Sequence, residues 1–170
     1  MSYSVRILGI DPGLRFTGWG MISCKGSALY YEASGRIASK TDGEMAARLW
    51  DLSSALDDIV ATHTPDEAAV EETFVNTNPR SALKLGQARG ICLLAPARVG
   101  IPVAEYAANR VKKAVVGVGH ADKNQVSAMI TRLLPQSGQL SADEADALAV
   151  AICHSSHRRT PNHLGGRSSA

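Results

Sequence analysis

Val5-Arg6-Ile7-Leu8-Gly9-Ile10 is an almost unbroken apolar run that stops on Asp11-Pro12-Gly13. A strand with one wet face alternates apolar and polar residues, whereas a continuous run is the pattern of a strand covered on both faces. The run therefore predicts a central strand, and the rest of the chain must supply cover for both of its sides. Two strand-like segments, 18–24 and 28–31, follow it and are joined by Lys25-Gly26-Ser27, which reads as a hairpin loop. The chain thus opens as a three-stranded meander.

Beyond it, Thr41-Asp42-Gly43-Glu44 has the spacing of a capping box, and Met45, Leu49, Leu52, Leu56, Ile59 and Val60 recur at helical intervals. After Pro65-Asp66 a short strand spans 67–72. Asn78-Pro79 reads as an N-cap with proline at the first helical position, opening a helix through Leu94. Ala82, Gly86 and Gly90 recur along that helix every fourth residue, a small-residue face suited to close packing, with the core favoured over a second subunit as its neighbour. A fifth strand is expected over 102–106, a short helix to about Val116, a helix over 122–134, and a last helix opened by the capping box Ser141-Ala142-Asp143-Glu144 and closing near His154. The order β-β-β-α-β-α-β-α-α-α implies an α/β fold with a mixed sheet and helices on its faces. With 170 residues we expect one domain over 1–155, and a polar, aperiodic segment 156–170 that reads as a disordered tail.

No apolar stretch approaches the roughly 20 residues of a membrane span, and no signal peptide precedes the first strand, so a cytoplasmic protein is expected. Cys24, Cys92 and Cys153 are far apart among apolar or small neighbours and read as buried thiols. The five histidines lack zinc-ligand spacing. Charge is unevenly spread: residues 1–72 carry 6 basic and 11 acidic side chains, while residues 73–142 carry 9 and 2. A basic middle between acidic stretches suits a polyanion laid across a metal centre, and scattered solvated lysines would give the same count.

Four acids stand where folding alone does not ask for charge. Asp11 closes the central strand, Glu71 closes Ala68-Ala69-Val70, and Asp143 and Asp146 open the alanine-rich last helix. Taken singly, most have ordinary explanations. Asp11 suits an Asx turn, Glu71-Glu72 a solvated strand end with no means of choosing between them, and Asp143 a helix start. Asp146 is different, because it lies one turn inside a helix whose next residues are nearly all apolar, and a charge there needs a partner. Taken together, four carboxylates are what a two-metal phosphoryl-transfer site requires.

These motifs resemble the RuvC family of bacterial Holliday-junction endonucleases, which belongs to the ribonuclease H-like superfold. The likeness covers roughly residues 5–153 through GIDPG (9–13), VEETF (70–74), SALKLGQARG (81–90), VKKAVVGVG (111–119) and DEADALAVA (143–151). It implies a five-stranded mixed sheet flanked by helices on both faces, with Asp11, Glu71, Asp143 and Asp146 as catalytic, metal-binding carboxylates. Of the Glu71-Glu72 pair it selects Glu71, and at Asp143 some relatives carry histidine. The implied cofactor is Mg²⁺, with Mn²⁺ as a substitute, at one or two ions per subunit. Phe74 would meet DNA near the branch point, Lys112 and Lys123 would lie near the scissile phosphate, and Arg80 and Lys84 would contact the DNA backbone. The implied partners are four-way junction DNA, a second copy in a homodimer, and a branch-migration complex of the RuvA and RuvB type. A phosphate-binding ATPase of the actin-like fold shares the Gly-Ile-Asp-x-Gly hairpin but needs two domains, and a junction-binding module without catalysis does not need the four acids.

Overall fold

The structure, a computed structural model, describes residues 4–40, 42–72 and 78–158. The apolar run forms β1 (Ser4–Asp11), and the meander continues through β2 (Phe16–Lys25) and β3 (Ala28–Ala38). Then come α1 (Met45–His63), β4 (Glu67–Glu72), α2 (Pro79–Arg98), β5 (Val103–Ala107), α3 (Ala108–Val116), α4 (Lys123–Leu133), a short 3₁₀ turn (Pro135–Ser137) and α5 (Ala142–His157). The strands form one sheet in the order β3-β2-β1-β4-β5. β1 is antiparallel to β2 and parallel to β4, β2 is antiparallel to β3, and β4 is parallel to β5, so the sheet is mixed and β1 is its centre.

Both faces of β1 are covered, as its composition requires. Val5 and Ile7, with Ile22, Cys24 and Ala69, point into a core built with α3, α4 and α5. Leu8 and Ile10, with Met21, Ala68 and Val70, point into a second core under α1 and α2. Each fully buried Ile, Leu or Met contributes about 1.5–3 kcal/mol, so the two cores together hold the sandwich. α5 lies unusually close to the sheet because its floor is glycine. A Cβ on Gly9 would stand 2.1 Å from the Ala147 carbonyl oxygen, one on Gly18 2.0 Å from that of Asp143, and one on Gly20 2.6 Å from Leu148 Cδ2. The helix answers with alanine, burying Ala145, Ala147, Ala149 and Ala151.

Local signals place most helix starts. The Asn78 side chain accepts from the N–H groups of Arg80 and Ser81, with Pro79 at the first position. Ser141 and Glu144 form a reciprocal capping box, and so do Asp122 and Gln125 at α4. Other expectations are corrected. Of the expected Thr41–Glu44 box, Thr41 lies outside the described residues, and Glu44 is itself the cap residue of α1 and makes no side-chain bond there. β3 runs seven residues past Tyr31, carried by continued pairing with β2 across a bulge at Glu32. α2 passes Leu94 and takes Pro96 into its last turn. The small face of α2 does not enter the core: its buried residues are Ala88, Cys92, Ala95 and Pro96, and Gly86 and Gly90 have nothing within 4 Å of an added Cβ. Positions two apart differ by about 200° around a helix, so Gly86 and Ala88 face opposite ways.

At the other end of the chain α5 reaches His157, so residues 156–158 of the expected tail are structured, and residues 159–170 lie outside the described set. Arg158 pairs with Glu67 through two nitrogens, at 2.6 and 3.1 Å. The same carboxylate meets His154 Nε2 at 2.7 Å, and His154 Nδ1 meets the Tyr106 hydroxyl at 2.9 Å. Among the described residues the three cysteines are buried and free, and no helix is long and apolar enough to cross a membrane.

Candidate metal centre and nucleic-acid interface

Strand alternation and register decide which acids meet. Gly9 and Ala69 are parallel partners on the α5 face of the sheet, so Asp11 and Glu71, two residues further along each strand, share that face. Glu72 points to the opposite side. The register of β4 on β1 thus puts Glu71, and not Glu72, on the face of Asp11. α5 runs back along these strands, and its first turns bring Asp143 over Gly18, the cross-strand partner of Asp11, with Asp146 one turn on.

The electrostatics follow from this crowding. Burial, a hydrogen bond with Glu71, and the charges of Glu71, Asp146 and Asp143 push the Asp11 carboxyl up to about 9. Burial also raises Glu71, while its bond with Asp11 opposes the rise, Asp146 adds to it, and Lys112 and Lys123 draw it back. One proton is thus shared by the Asp11–Glu71 pair. Asp146 is raised by burial first, lowered by Lys123 and raised by Asp143. Lys123 Nζ stands 3.7 Å from Asp146, and an Arg36 guanidinium nitrogen stands 3.8 Å from Asp143. Arg89 donates to the Glu71 carbonyl oxygen at 3.2 Å and pairs with Glu105, which fixes the end of β4.

Among the described residues no three acidic, histidine or cysteine side chains already enclose a space the size of an ion. Asp11 and Glu71 are joined by a hydrogen bond, and the charges of Asp143 and Asp146 both act on Asp11. The donor set nevertheless suits a hard divalent cation, because it offers carboxylate oxygens alone and holds a proton that such a cation would displace.

Of the other expected residues, Lys123 pairs with Asp146, and Lys112 acts on Glu71 and Asp146 through its charge alone. Arg80 and Lys84 lie exposed on the first turns of α2, and Phe74 lies outside the described residues. Sequence reasoning missed Arg36 and Arg89. No spacing signal marks Arg36, since a bulge in β3 sets its direction, and Arg89 is one basic residue in a helix whose repeating pattern is of small residues.

Comparison with solved structures places the fold. Thermus thermophilus RuvC in complex with a Holliday junction substrate superposes with a TM-score of 0.82 at 29% identity, covering 89% of this chain and 93% of that one. The yeast mitochondrial Holliday junction resolvase shares the fold at 15% identity, with a TM-score of 0.62 over 88% of this chain and 78% of its own. The fold is that of the ribonuclease H-like resolvases, with the carboxylates at the strand ends on its α5 face. The family model described as crossover junction endodeoxyribonuclease RuvC matches residues 7–154. Proteins of that name from Allorhizobium ampelinum and Methylorubrum extorquens are 55% and 58% identical to it, each over 158 residues and 93% of this chain, spanning 94% and 84% of their own lengths. The chain belongs to the RuvC family of crossover junction endodeoxyribonucleases.

Proposed function

We propose that this protein resolves four-way DNA junctions in recombination and repair, as a homodimer in which each subunit hydrolyses one phosphodiester and leaves 5′-phosphate and 3′-hydroxyl ends. The observation that carries the reading is the convergence of Asp11, Glu71, Asp143 and Asp146 from three chain segments at the C-terminal ends of β1 and β4, with Lys123 against Asp146 and the charge of Lys112 acting on the same cluster. Asp11, Glu71, Asp143 and Asp146 would hold Mg²⁺, or Mn²⁺ in its place, at one or two ions per subunit. The chemistry such an ion would supply when bound is polarisation of the phosphoryl group and activation of water.

The chain's own residues supply the rest. Lys112 and Lys123 place positive charge where the scissile phosphate approaches, and Arg80 and Lys84 add contacts to the DNA backbone that carry no sequence information. Phe74 stacks on an unpaired base near the branch point. Glu144, between two ligands in sequence, is instead committed to Ser141 and to the Ser34 hydroxyl at 2.9 Å, and so keeps α5 in register.

Support for the homodimer comes from α2. Its open face presents Gly86 and Gly90 beside Leu83, 67% exposed, and Leu94, 51% exposed, which a two-fold partner would cover. One subunit holds one site, so paired incision calls for two. A branch-migration complex of the RuvA and RuvB type is the partner that family membership suggests, and the cytoplasm is where such a chain meets DNA. The test is cleavage of a synthetic four-way junction in Mg²⁺ by variants carrying Asp11→Asn, Glu71→Gln, Asp143→Asn or Asp146→Asn. Each is expected to bind the junction and not cut it, and wild-type cutting by any of them removes that residue from the metal set.

A further inference from the structure

The bulge in β3 aims an arginine at the carboxylates. Before it, Tyr31 pairs with Ile22 and faces α5; after it, Ala33 pairs with Met21 and faces α1, with Glu32 as the extra residue. The alternation is thereby reversed, and Arg36, which an unbroken strand would turn toward α1, joins the α5 face. Its cross-strand partner is Gly18, whose missing side chain lets Asp143 sit directly above. Phe16, two residues before Gly18 on the same face, completes the arrangement: the Arg36 guanidinium carbon lies 4.1 Å from the Phe16 ring centroid, and that of Arg15 5.2 Å from the same ring. From this seat Arg36 reaches Asp143 at 3.8 Å, while its side chain remains 46% exposed.

Such a distance is an ion pair without a hydrogen bond. The Phe16 ring gives the guanidinium a cation–π seat, no hydrogen bond to Asp143 holds its N–H groups, and a DNA phosphate accepts two of them at once. On the far side Lys123 stands toward Asp146 in the same way, so Asp143 and Asp146 each have an ion-pairing cation at the flank.

We propose that Arg36, seated on Phe16, is a two-position residue: it neutralises Asp143 while the metal is absent and transfers to a phosphate of the DNA once a divalent cation has taken Asp143. The inference rests on the metal-centre reading above and adds to it a DNA contact that exists only in the metal-loaded protein. It also makes Arg36 a competitor of the cation.

Two measurements test it without cleavage. The first is the affinity of the protein for Mn²⁺ alone, read from the free-ion paramagnetic resonance signal. Arg36→Gln is expected to bind Mn²⁺ about 2- to 5-fold more tightly, the weight of a lost exposed ion pair. The second is junction binding against salt, in Ca²⁺ and in EDTA. The variant is expected to lower the slope of log affinity against log salt by about 1 in Ca²⁺ and to leave it unchanged in EDTA, whereas Arg36→Lys keeps the parent slope in both. A slope change of equal size in both conditions would make Arg36 an ordinary surface contact and overturn the proposal. So would unchanged or weaker Mn²⁺ binding. If the metal-centre reading itself failed, the parent would show no Mn²⁺ binding that Asp146→Asn removes, a result distinct from either.

Discussion

Gly18→Ala is the substitution that separates holding the fold together from holding the site together. The new Cβ would stand 2.0 Å from the carbonyl oxygen of Asp143 and 2.6 Å from its carbonyl carbon, and both are backbone atoms that no rotamer change can move. Ordinary contact begins near 3.4 Å, so the first turn of α5 has to retreat by about 1.4 Å, carrying Asp143 with it. Overpacking of this kind costs about 1–3 kcal/mol, and a chain of this size loses about 2–4 °C of melting temperature per kcal/mol. Misplacement of a catalytic group by about 1 Å costs on the order of 100-fold in rate. Single-turnover cleavage of a synthetic junction is therefore expected to fall about 100-fold, while the protein still melts cooperatively and binds the junction within about 3-fold of the parent. Gly20→Ala is the internal control. Its nearest obstacles are Leu148 Cδ2 at 2.6 Å and Cγ at 2.7 Å, with the Leu148 backbone nitrogen less crowded at 3.2 Å, so the strain falls on a buried core side chain further along α5 than Asp143: the melting temperature falls and cleavage is expected to suffer less than in Gly18→Ala. Gly18→Ala cutting within about 3-fold of the parent in a folded protein would refute the claim that close seating of α5 positions Asp143.

Other predictions concern charge and assembly. The unfolded chain releases the Asp11 proton near pH 4, roughly, while the folded one keeps it to about 9, so the metal-free protein should lose stability as pH rises across that interval. Asp11→Asn is expected to flatten this dependence and to melt higher than the parent in EDTA at pH 8, roughly, as scanning calorimetry would show; an equally steep dependence would refute it. Glu67 is held below the usual carboxylate range by Arg158 first, against burial, so its stabilising contribution is present at neutral pH and lost as pH falls through that lowered value. Burial holds His154 below its ordinary value, so acid favours the unfolded state there as well. Glu67→Gln is expected to cost about 1–3 kcal/mol at neutral pH by urea titration, with a smaller loss in acid. Gly90→Trp, on the open face of α2, should leave the monomer folded and shift light scattering from dimer to monomer, with paired incision lost.

How much was legible beforehand depended on the range of the interaction. Asn78-Pro79 and the Ser141–Glu144 box act over three or four residues, and they stand where local chemistry places them. The central strand was legible because burial on both faces leaves its mark on every residue of β1. Thr41 to Glu44 carried the same local signature as a working box, yet the helix begins after Glu44, because spacing does not say whether the chain turns early enough to use it. β3 beyond Tyr31 was unreadable for a different reason. Its bulge inverts the alternation, so Ala33 and Ile37 are apolar on one face and Tyr31 on the other, a pattern with no single period. The stripe of Ala82, Gly86 and Gly90 was visible, but which side of α2 meets the sheet is a tertiary matter. The four acids could be named individually, whereas the assignment of Glu71 over Glu72 needed family likeness or the register of β4 on β1. Arg36 was out of reach of either.

The polar cluster at the far end of α5 makes this helix a beam carried on two supports. β4 presents Glu71 at one end and Glu67 at the other on a single face, and α5, running the opposite way, brings Asp146 to the first and His154 to the second. From His154 to Asp143 is about 16 Å along the helix axis, so a tilt of about 5° about the far support would swing Asp143 through about 1.4 Å. Among the described residues Arg158 is the last with leverage on the carboxylates: a chain cut before it loses the paired Glu67–Arg158 bonds and keeps only the His154 contact at the far support.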